Sequence, residues 1–250
     1  MMKFTIITVV FNGQKYLKET IESVISQTYK NIEYIIIDGG SSDGTIDIIK
    51  EYEIYLSYWQ SESDKSMYDA INKGLSFSTG EFILILNSDD QLFHNTTIAK
   101  MAAYIQKEPN YLAYYGQIVK LKENKQIRKW GFQCSYNSLL FSQHCSFIPH
   151  PALFVNKIIA KNFTYNINYR YASDFDYILN LSKVFFIKYI PLPITLFREH
   201  PESITSSGKL NSERLEILKL NSLFKISFIC RQFHFYKIWF YYKILQIIHA

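Results

Sequence analysis

Strand-like and helix-like segments alternate along the first half of the chain, and this alternation restricts the fold more than any other feature. Apolar runs rich in β-branched residues are followed by segments whose apolar residues recur at helical spacing. The predicted strands are 4–10, 32–38, 55–62, 82–86 and 111–121, and the predicted helices are 14–29, 45–52, 66–78 and 96–108. Because the strands are apolar almost throughout, we expect an α/β fold with a mostly parallel central sheet and helices on both faces.

Polar side chains follow the first four predicted strands at their carboxyl ends. These positions hold Thr8 and Asn12 beside Phe11, then Asp38, then Glu62 with Asp64, and finally Asn87, Ser88, Asp89 and Asp90. An isolated pair of aspartates after a strand is typical of an exposed turn. In parallel sheets, however, ligands bind beyond the carboxyl ends of the strands. Four polar strand ends at one edge therefore predict a binding site.

The acids at this edge indicate which ligand the site takes. Carboxylates repel a bare anion, but they suit an anion that arrives with a divalent cation such as Mg²⁺ or Mn²⁺. The sequence contains neither G-x-x-x-x-G-K-[ST] nor G-x-G-x-x-G, so no glycine loop for phosphates is predicted. A nucleotide diphosphate that is bound through a metal ion fits these observations.

Composition excludes several classes of protein. With 48% hydrophobic and 20% charged residues the chain is globular, and its net charge of +5 is too small to indicate nucleic-acid binding. Cys134, Cys145 and Cys230 show no metal-ligand spacing, and scattered thiols favour a reducing compartment. No uncharged apolar stretch of about 18 residues occurs, so we expect no membrane-spanning helix and a cytoplasmic location.

The second half of the chain has weaker periodicity. We expect a charged loop and a site rim over 122–150, a helix over 171–184, and a strand region over 185–200 that is broken by Pro191 and Pro193. The tail, 219–250, has five Lys or Arg, no acid and many aromatic residues. It forms either helices that pack on the domain or an interfacial anchor on an anionic membrane, and we favour the anchor.

Three segments carry a resemblance to a known family. They are TIITVVFNGQKYLKETIESVISQTYKNIEYIIIDGGSSDGT, SESDKSMYDAINKGLSFSTGEFILILNSDD and FREHPESIT. They resemble the inverting family 2 glycosyltransferases with a GT-A fold, and most closely the bacterial branch that builds O-antigen, capsule and other surface polysaccharides. The resemblance is strong over 3–105 and looser to about 205. It implies a donor-binding half (1–115), an acceptor-binding half (116–205) and a helical tail (206–250).

The resemblance also implies roles for individual residues. Nucleotide-binding positions would be Thr8, Phe11, Asn12, Asp38, Asp64, Lys65, Asn72, Lys73 and Asp89. Metal ligands for Mg²⁺ or Mn²⁺ would be Asp89, Asp90 and His200, and contacts to the diphosphate or the acceptor would come from Arg198, Ser203 and His150. Many relatives carry an acid where this chain has Asn87.

The family places its catalytic base, an aspartate, at the start of a helix. The segment ASDFD offers Asp174 and Asp176, and we expect Asp174 to be the base. A structural alternative is a capping box in which Ser173 is the N-cap and Asp176 lies three residues later.

The predicted reaction is a metal-assisted single displacement. A sugar would pass from a nucleotide-diphospho-sugar, with UDP expected, to a hydroxyl of a growing, lipid-linked cell-surface glycan. The protein would lie on the inner face of the cell membrane, held by its tail. Two alternatives stay open: a non-catalytic nucleotide-sugar-binding member of a polysaccharide assembly complex, and a sugar-nucleotide pyrophosphorylase, although the latter needs a glycine-rich basic first loop.

Overall fold

One curled sheet organises the molecule in the computed structural model, which describes residues 1–122, 125–141, 147–200 and 209–221. Within these ranges nine strands are present. They are β1 (Phe4–Val10), β2 (Ile32–Asp38), β3 (Tyr58–Ser61), β4 (Phe82–Ile85), β5 (Gln91–Leu92), β6 (Ala113–Lys122), β7 (Lys125–Trp130), β8 (Leu153–Asn156) and β9 (Lys188–Arg198). The helices are α1 (Leu17–Ile25), α2 (Thr45–Glu51), α3 (Met67–Phe77), α4 (Thr97–Lys107), α5 (Tyr136–Phe141), α6 (Lys157–Asn162), α7 (Ser173–Val184) and α8 (Lys209–Asn221).

Strand directions bring the functional ends together. The order is β3-β2-β1-β4-β8-β6-β9-β5, with β7 paired to β6. The first four strands are mutually parallel, β8 is antiparallel to both β4 and β6, and β9 is parallel to β6. β1–β4, β6 and β9 therefore run one way, so the carboxyl end of β9 faces the same side of the molecule as those of β1–β4. The predicted mostly parallel α/β fold is confirmed.

Two apolar layers cover the sheet, one on each face. Alternate residues of β1 enter different layers: Ile7 packs with α3 and α7, whereas Ile6 packs with α1 and α4. Gly74 lets α3 approach closely, because a Cβ there would lie 2.6 Å from Cγ2 of Ile7.

The predicted elements of the first half are all present, with shorter ends. The helix predicted over 14–29 spans Leu17–Ile25, and the strand predicted over 55–62 spans Tyr58–Ser61 because Glu53–Tyr55 form a 3₁₀ turn. α3 begins after Ser66, whose side chain accepts a hydrogen bond from the backbone N–H of Asp69 at 3.2 Å.

Two expectations for the second half are wrong. The charged segment predicted as a loop forms β7, antiparallel to β6. Most of β7 is exposed, so it shows no apolar alternation that would have marked it as a strand. Pro191 and Pro193 do not break β9, because its register against β6 shifts around Gln117, where regular ladder hydrogen bonds are not made.

The predicted division at residue 115 falls inside β6, which belongs to the continuous sheet. The tail contributes α8, whereas residues 222–250 lie outside the described residues. Over the ranges that the structure describes, no helix is both long and apolar enough to cross a membrane.

Candidate active site

The loops after β1 and β2 are tied to each other. Asn12 adopts a left-handed backbone (φ 51°), which asparagine tolerates better than most residues. Its N–H donates to Ser41 Oγ at 2.7 Å, and its side-chain oxygen accepts from the N–H of Ser42 at 2.9 Å. Phe11 is exposed beside these loops. Thr8 is fully buried and its hydroxyl bonds to that of Tyr34 at 3.1 Å; its place in a nucleotide pocket stays a prediction.

Asp38 lies at the end of β2 and joins the loops that follow β2 and β3. Its carboxylate accepts hydrogen bonds from the N–H groups of Gly40 and Ser41, at 3.1 and 2.9 Å, and from the hydroxyls of Ser41 and Ser61. The side chain is fully buried. Asp38 therefore shapes the floor of the acidic edge.

Asp64 combines an ion pair with an unpaired oxygen. Its Oδ1 pairs with Lys73, whereas Oδ2 is buried and has no hydrogen-bond partner within the described residues. Burial raises the pKa of Asp64, although Lys73 opposes this shift. A Cβ on Gly39 would lie 3.3 Å from Oδ2. A buried acceptor with no partner marks a position that a ligand donor can satisfy.

The neighbouring predicted nucleotide contacts behave differently. Lys65 is exposed, and its N–H donates to the carboxylate of Asp69 at 3.1 Å. The amide of Asn72 binds the backbone of Tyr165 twice, donating to its carbonyl and accepting from its N–H, both at 2.9 Å. The side chain of Asn72 therefore fastens α3 to the segment before α7, and its contact with a nucleotide stays a prediction.

Asp89 and His200 meet across the sheet. Asp89 follows β4 and His200 follows β9, and Oδ2 of Asp89 lies 2.9 Å from Nε2 of His200. Both side chains are partly exposed. The imidazole also packs near the ring of Tyr16, with a centroid separation of 5.4 Å.

Asp90, by contrast, points into the protein. It is fully buried; Oδ1 accepts from the N–H of Arg198 at 3.0 Å, and Oδ2 accepts from the amide of Asn87 at 3.1 Å. Burial, and then the charge of Asp89, raise the pKa of Asp90 well above its usual value. In this arrangement both oxygens of Asp90 are used within the protein, and its role as a metal ligand stays a prediction. Asn87 supplies a donor to this buried carboxyl, whereas an acid there would add a like charge.

Arg198 is buried rather than open to a diphosphate. Its guanidinium donates to the carbonyl of Asp89 at 3.2 Å, pairs with Glu19, and lies 4.5 Å from the ring centre of Tyr16. In this geometry the guanidinium of Arg198 fixes the loop that carries Asp89, and it is not directed towards a diphosphate.

Asp174 lies in the first turn of α7. Its Oδ1 accepts hydrogen bonds from the N–H of Phe175 at 2.8 Å and from the hydroxyl of Tyr68 at 3.3 Å. The capping box is absent: the N-cap is Ala172, and the buried hydroxyl of Ser173 has no partner within the described residues.

An aromatic group surrounds Asp174. Tyr165 stacks between Tyr68 and Tyr177, at centroid distances of 5.9 and 4.2 Å. The hydroxyl of Tyr165 bonds to Nε2 of His150 at 2.7 Å. Burial lowers the pKa of His150, and the nearby Asp174 opposes that shift. The three tyrosines were not predicted, because nothing in their spacing distinguishes them among 20 tyrosines.

The donor groups at the acidic edge fit a divalent metal. The carboxylate of Asp89 is a suitable ligand for Mg²⁺ or Mn²⁺, whereas the imidazole of His200 suits a transition metal better than Mg²⁺. In the part of the chain that is described, no group of three His, Cys, Asp or Glu side chains could hold a metal ion alone. An ion here would therefore take further ligands from a phosphate or water. Ser203, the remaining predicted contact, lies outside the described residues.

The sheet topology, the acids at its carboxyl edge and the aspartate opening α7 define the class of GT-A-fold transferases that use nucleotide sugars. The family model described as glycosyl transferase family 2 matches residues 5–163. The chain belongs to glycosyl transferase family 2, and the protein is a glycosyltransferase.

Relatives agree with this assignment. A PGL/p-HBAD biosynthesis glycosyltransferase of Mycobacterium bovis is 32% identical over 179 residues, which is 70% of this chain and 67% of the relative. An uncharacterized glycosyltransferase of Mycobacterium tuberculosis is 28% identical over 182 residues, 72% of this chain and 69% of the relative.

Solved structures share the fold. TarS 1–349 of S. aureus, in complex with UDP-GlcNAc, superimposes with a TM-score of 0.72 at 16% identity, covering 94% of this chain and 70% of that TarS fragment. The mannosyltransferase PcManGT of Pyrobaculum calidifontis, in complex with GDP-Man and Mn²⁺, gives a TM-score of 0.64 at 16% identity, covering 89% of this chain and 64% of the PcManGT chain.

Proposed function

We propose that the protein transfers a sugar from a UDP-sugar to a hydroxyl of a growing, lipid-linked cell-surface glycan, with inversion at the anomeric carbon. The UDP-GlcNAc complex of TarS supports a uridine donor, and the mycobacterial relative supports a biosynthetic role. In a single displacement the acceptor oxygen attacks as the diphosphate leaves, so one base suffices and no covalent nucleophile is needed.

The geometry of Asp174 is the observation that carries the proposal. Two donors hold Oδ1, whereas Oδ2 accepts no hydrogen bond from any described residue. One oxygen is therefore fixed and the other is available to take a proton from an acceptor hydroxyl. The stacked Tyr68, Tyr165 and Tyr177 beside Asp174 are buried, so they form a rigid apolar support for this end of α7.

The acidic edge provides for the donor. The exposed ring of Phe11 can pack against the nucleobase of the donor, and Oδ2 of Asp64 can accept a hydrogen bond from the nucleoside. Asp89 and His200 would hold Mg²⁺ or Mn²⁺, and the bound ion neutralises the charge that develops on the leaving diphosphate. Arg198 orients Asp89 for this role through the backbone carbonyl.

Replacing the base tests the proposal. Asp174→Asn keeps the oxygen that Tyr68 and Phe175 bind but cannot take the proton, so kcat should fall about 10²–10⁴-fold while the Kd for UDP changes less than about twofold. Asp176→Asn, one half-turn away on α7, is the matched control and should retain activity. Full activity of Asp174→Asn, or a product with retained anomeric configuration by NMR, would contradict the mechanism.

The tail is the proposed contact with the membrane. Its support is compositional: 219–250 holds five Lys or Arg and no acid among many aromatic residues. Deleting 222–250 leaves α8 in place and should abolish co-flotation with vesicles containing about 30% anionic lipid. Equal flotation of the shortened and full-length chains would rule out this anchor and, with it, the proposed location on the inner face of the membrane.

A further inference from the structure

A carboxylate of α8 binds the segment that leads into α7. Oε1 of Glu213 accepts a hydrogen bond from the N–H of Arg170 at 2.9 Å. Oε2 accepts from the N–H groups of Tyr171 and Ala172, at 2.7 and 2.9 Å. Three consecutive backbone donors thus converge on one side chain that is more than 40 residues away in sequence.

The helix that carries Glu213 is itself fixed to the core. Leu210, Ile217 and Leu218 are buried in the apolar layer that also contains Phe175 and Ile178 of α7. The guanidinium of Arg214 lies 5.3 Å from the ring centre of Phe175. Glu213 is therefore presented from a packed helix, which makes its carboxylate a defined reference point for the loop.

The start of α7 lacks an N-cap side chain that could fix its position. Helices commonly fix their first turn with an N-cap side chain, but Ser173 makes no such bond and Ala172 at the N-cap has no polar side chain. Hydrogen bonds to a carboxylate are stronger than neutral ones, so Glu213 can replace the missing cap. Asp174 lies two residues beyond the last N–H that Glu213 binds.

We propose that Glu213 is a positioning residue for the reaction, setting through the 170–172 backbone where α7 begins and hence where Asp174 presents its free oxygen. This inference rests on the proposed role of Asp174 as the base. It makes α8, which lies beyond the residues matched by the family model, part of the apparatus that aligns the acceptor half of the site.

The first test replaces one carboxylate oxygen. In Glu213→Gln an NH₂ group faces at least one of the three N–H donors, so the loop must shift, and displacements near 1 Å cost up to about 10²-fold in rate. We expect kcat to fall about tenfold or more, with the Kd for UDP within about twofold of the original. Glu216→Gln makes the same charge change on an exposed position of α8 and should leave kcat unchanged.

A second variant distinguishes the effect of side-chain length from the effect of the negative charge. It also keeps the inference testable if Glu213→Gln does not fold. Glu213→Asp keeps the carboxylate but shortens it by one methylene, so it should recover part of the lost kcat. Activity of Glu213→Asp equal to or lower than that of Glu213→Gln, or full activity of either variant, would overturn the inference.

A double-mutant cycle distinguishes positioning from general stabilisation. In an Asp174→Asn background, Glu213→Gln should lower the residual rate less than about twofold, because the group it positions is already gone. An equal fold loss in both backgrounds would overturn the inference. If Asp174→Asn is fully active, the proposed function itself fails; if it is inactive while Glu213→Gln is fully active, only the role of Glu213 fails.

Discussion

The two ends of the parallel strands both carry buried carboxylates, but in opposite electrostatic situations. At the amino end, Glu33 accepts hydrogen bonds from Lys3 at 2.8 Å, Thr5 at 2.6 Å, and the N–H and hydroxyl of Thr79 at 2.7 and 2.6 Å. Burial alone would raise its pKa, but these donors outweigh it and lower the pKa to about 2. At the carboxyl end, burial prevails and raises the pKa values of Asp64 and Asp90.

The difference separates a structural acid from acids that await a ligand. Glu33 is fully satisfied by its own chain, so it favours the folded state. The carboxyl end keeps an unpaired oxygen on Asp64 and two adjacent acids, an arrangement that costs folding free energy without a counter-charge. The amino edge thus contributes stability, whereas the carboxyl edge, where the donor is proposed to bind, costs folding free energy.

The largest expected effect is on catalysis at the carboxyl edge. Asp89→Asn preserves size but removes the charge beside His200, so we expect kcat/KM to fall about 10²–10³-fold while Tm changes by less than about 2 °C. The exposed Asp47→Asn of α2 is a control for loss of one acid. Activity that survives both Asp89→Asn and an excess of EDTA would contradict a metal at this position.

The amino edge should respond in stability instead. Glu33→Gln should lower the free energy of unfolding at pH 7 by about 2 kcal/mol, less than the full pKa shift because Lys3 is 40% exposed and water screens the pair. Since the folded pKa of about 2 lies below the unfolded value of 4.5, this contribution is complete above pH 5 and disappears as the pH falls towards 2.

Urea unfolding at pH 7 and pH 3 measures this difference. The exposed Glu81→Gln, at the same end of the sheet, is the matched control and should change stability by less than about 0.5 kcal/mol. A Glu33→Gln defect that is as large at pH 3 as at pH 7 would show that the side chain acts through shape and not through its charge.

The smallest expected effect is a gain in the free energy of unfolding, whereas Glu33→Gln should cause a loss. Asp90→Asn removes a buried charge, and the amide of Asn87 can rotate to keep a hydrogen bond, so the metal-free protein should gain about 1 kcal/mol at pH 7. Because the folded pKa of Asp90 is raised, the gain should shrink as the pH falls and vanish below the unfolded value of 3.8, where the carboxyl is protonated in both states. A loss of stability at pH 7 would contradict the conclusion that the buried acids of the carboxyl edge destabilise the fold.

Much of the donor half could be predicted because its strands are buried on both faces and end in polar residues. Periodicity locates a strand end, but it does not say which way each side chain points. Asp89 and Asp90 are adjacent, yet one meets His200 near solvent and the other is buried. The surroundings of Arg198 and Thr8 were unpredictable for the same reason, since their partners lie on other elements of the fold.

The acceptor half was less predictable because its organisation depends on distant contacts. β7 is recognisable only from its pairing with β6, and the alignment of α7 depends on Glu213 of α8. The notion of a local capping box failed because Ser173 points into the interior. No pattern in the sequence around Asp174 predicts that a carboxylate of another helix binds this segment.

The contact between Asp89 and His200 has a consequence for how the protein is made. It joins residues 111 apart in sequence, and Asp90 reaches the backbone of Arg198 across 108 residues. Such long loops close late, after local β–α units have formed. During synthesis the first four parallel strands can therefore assemble while the emerging chain still lacks β9. Until residue 200 has been synthesised the acidic edge lacks His200 and the backbone of Arg198 that Asp90 binds, so chains that end before β9 expose an incomplete edge.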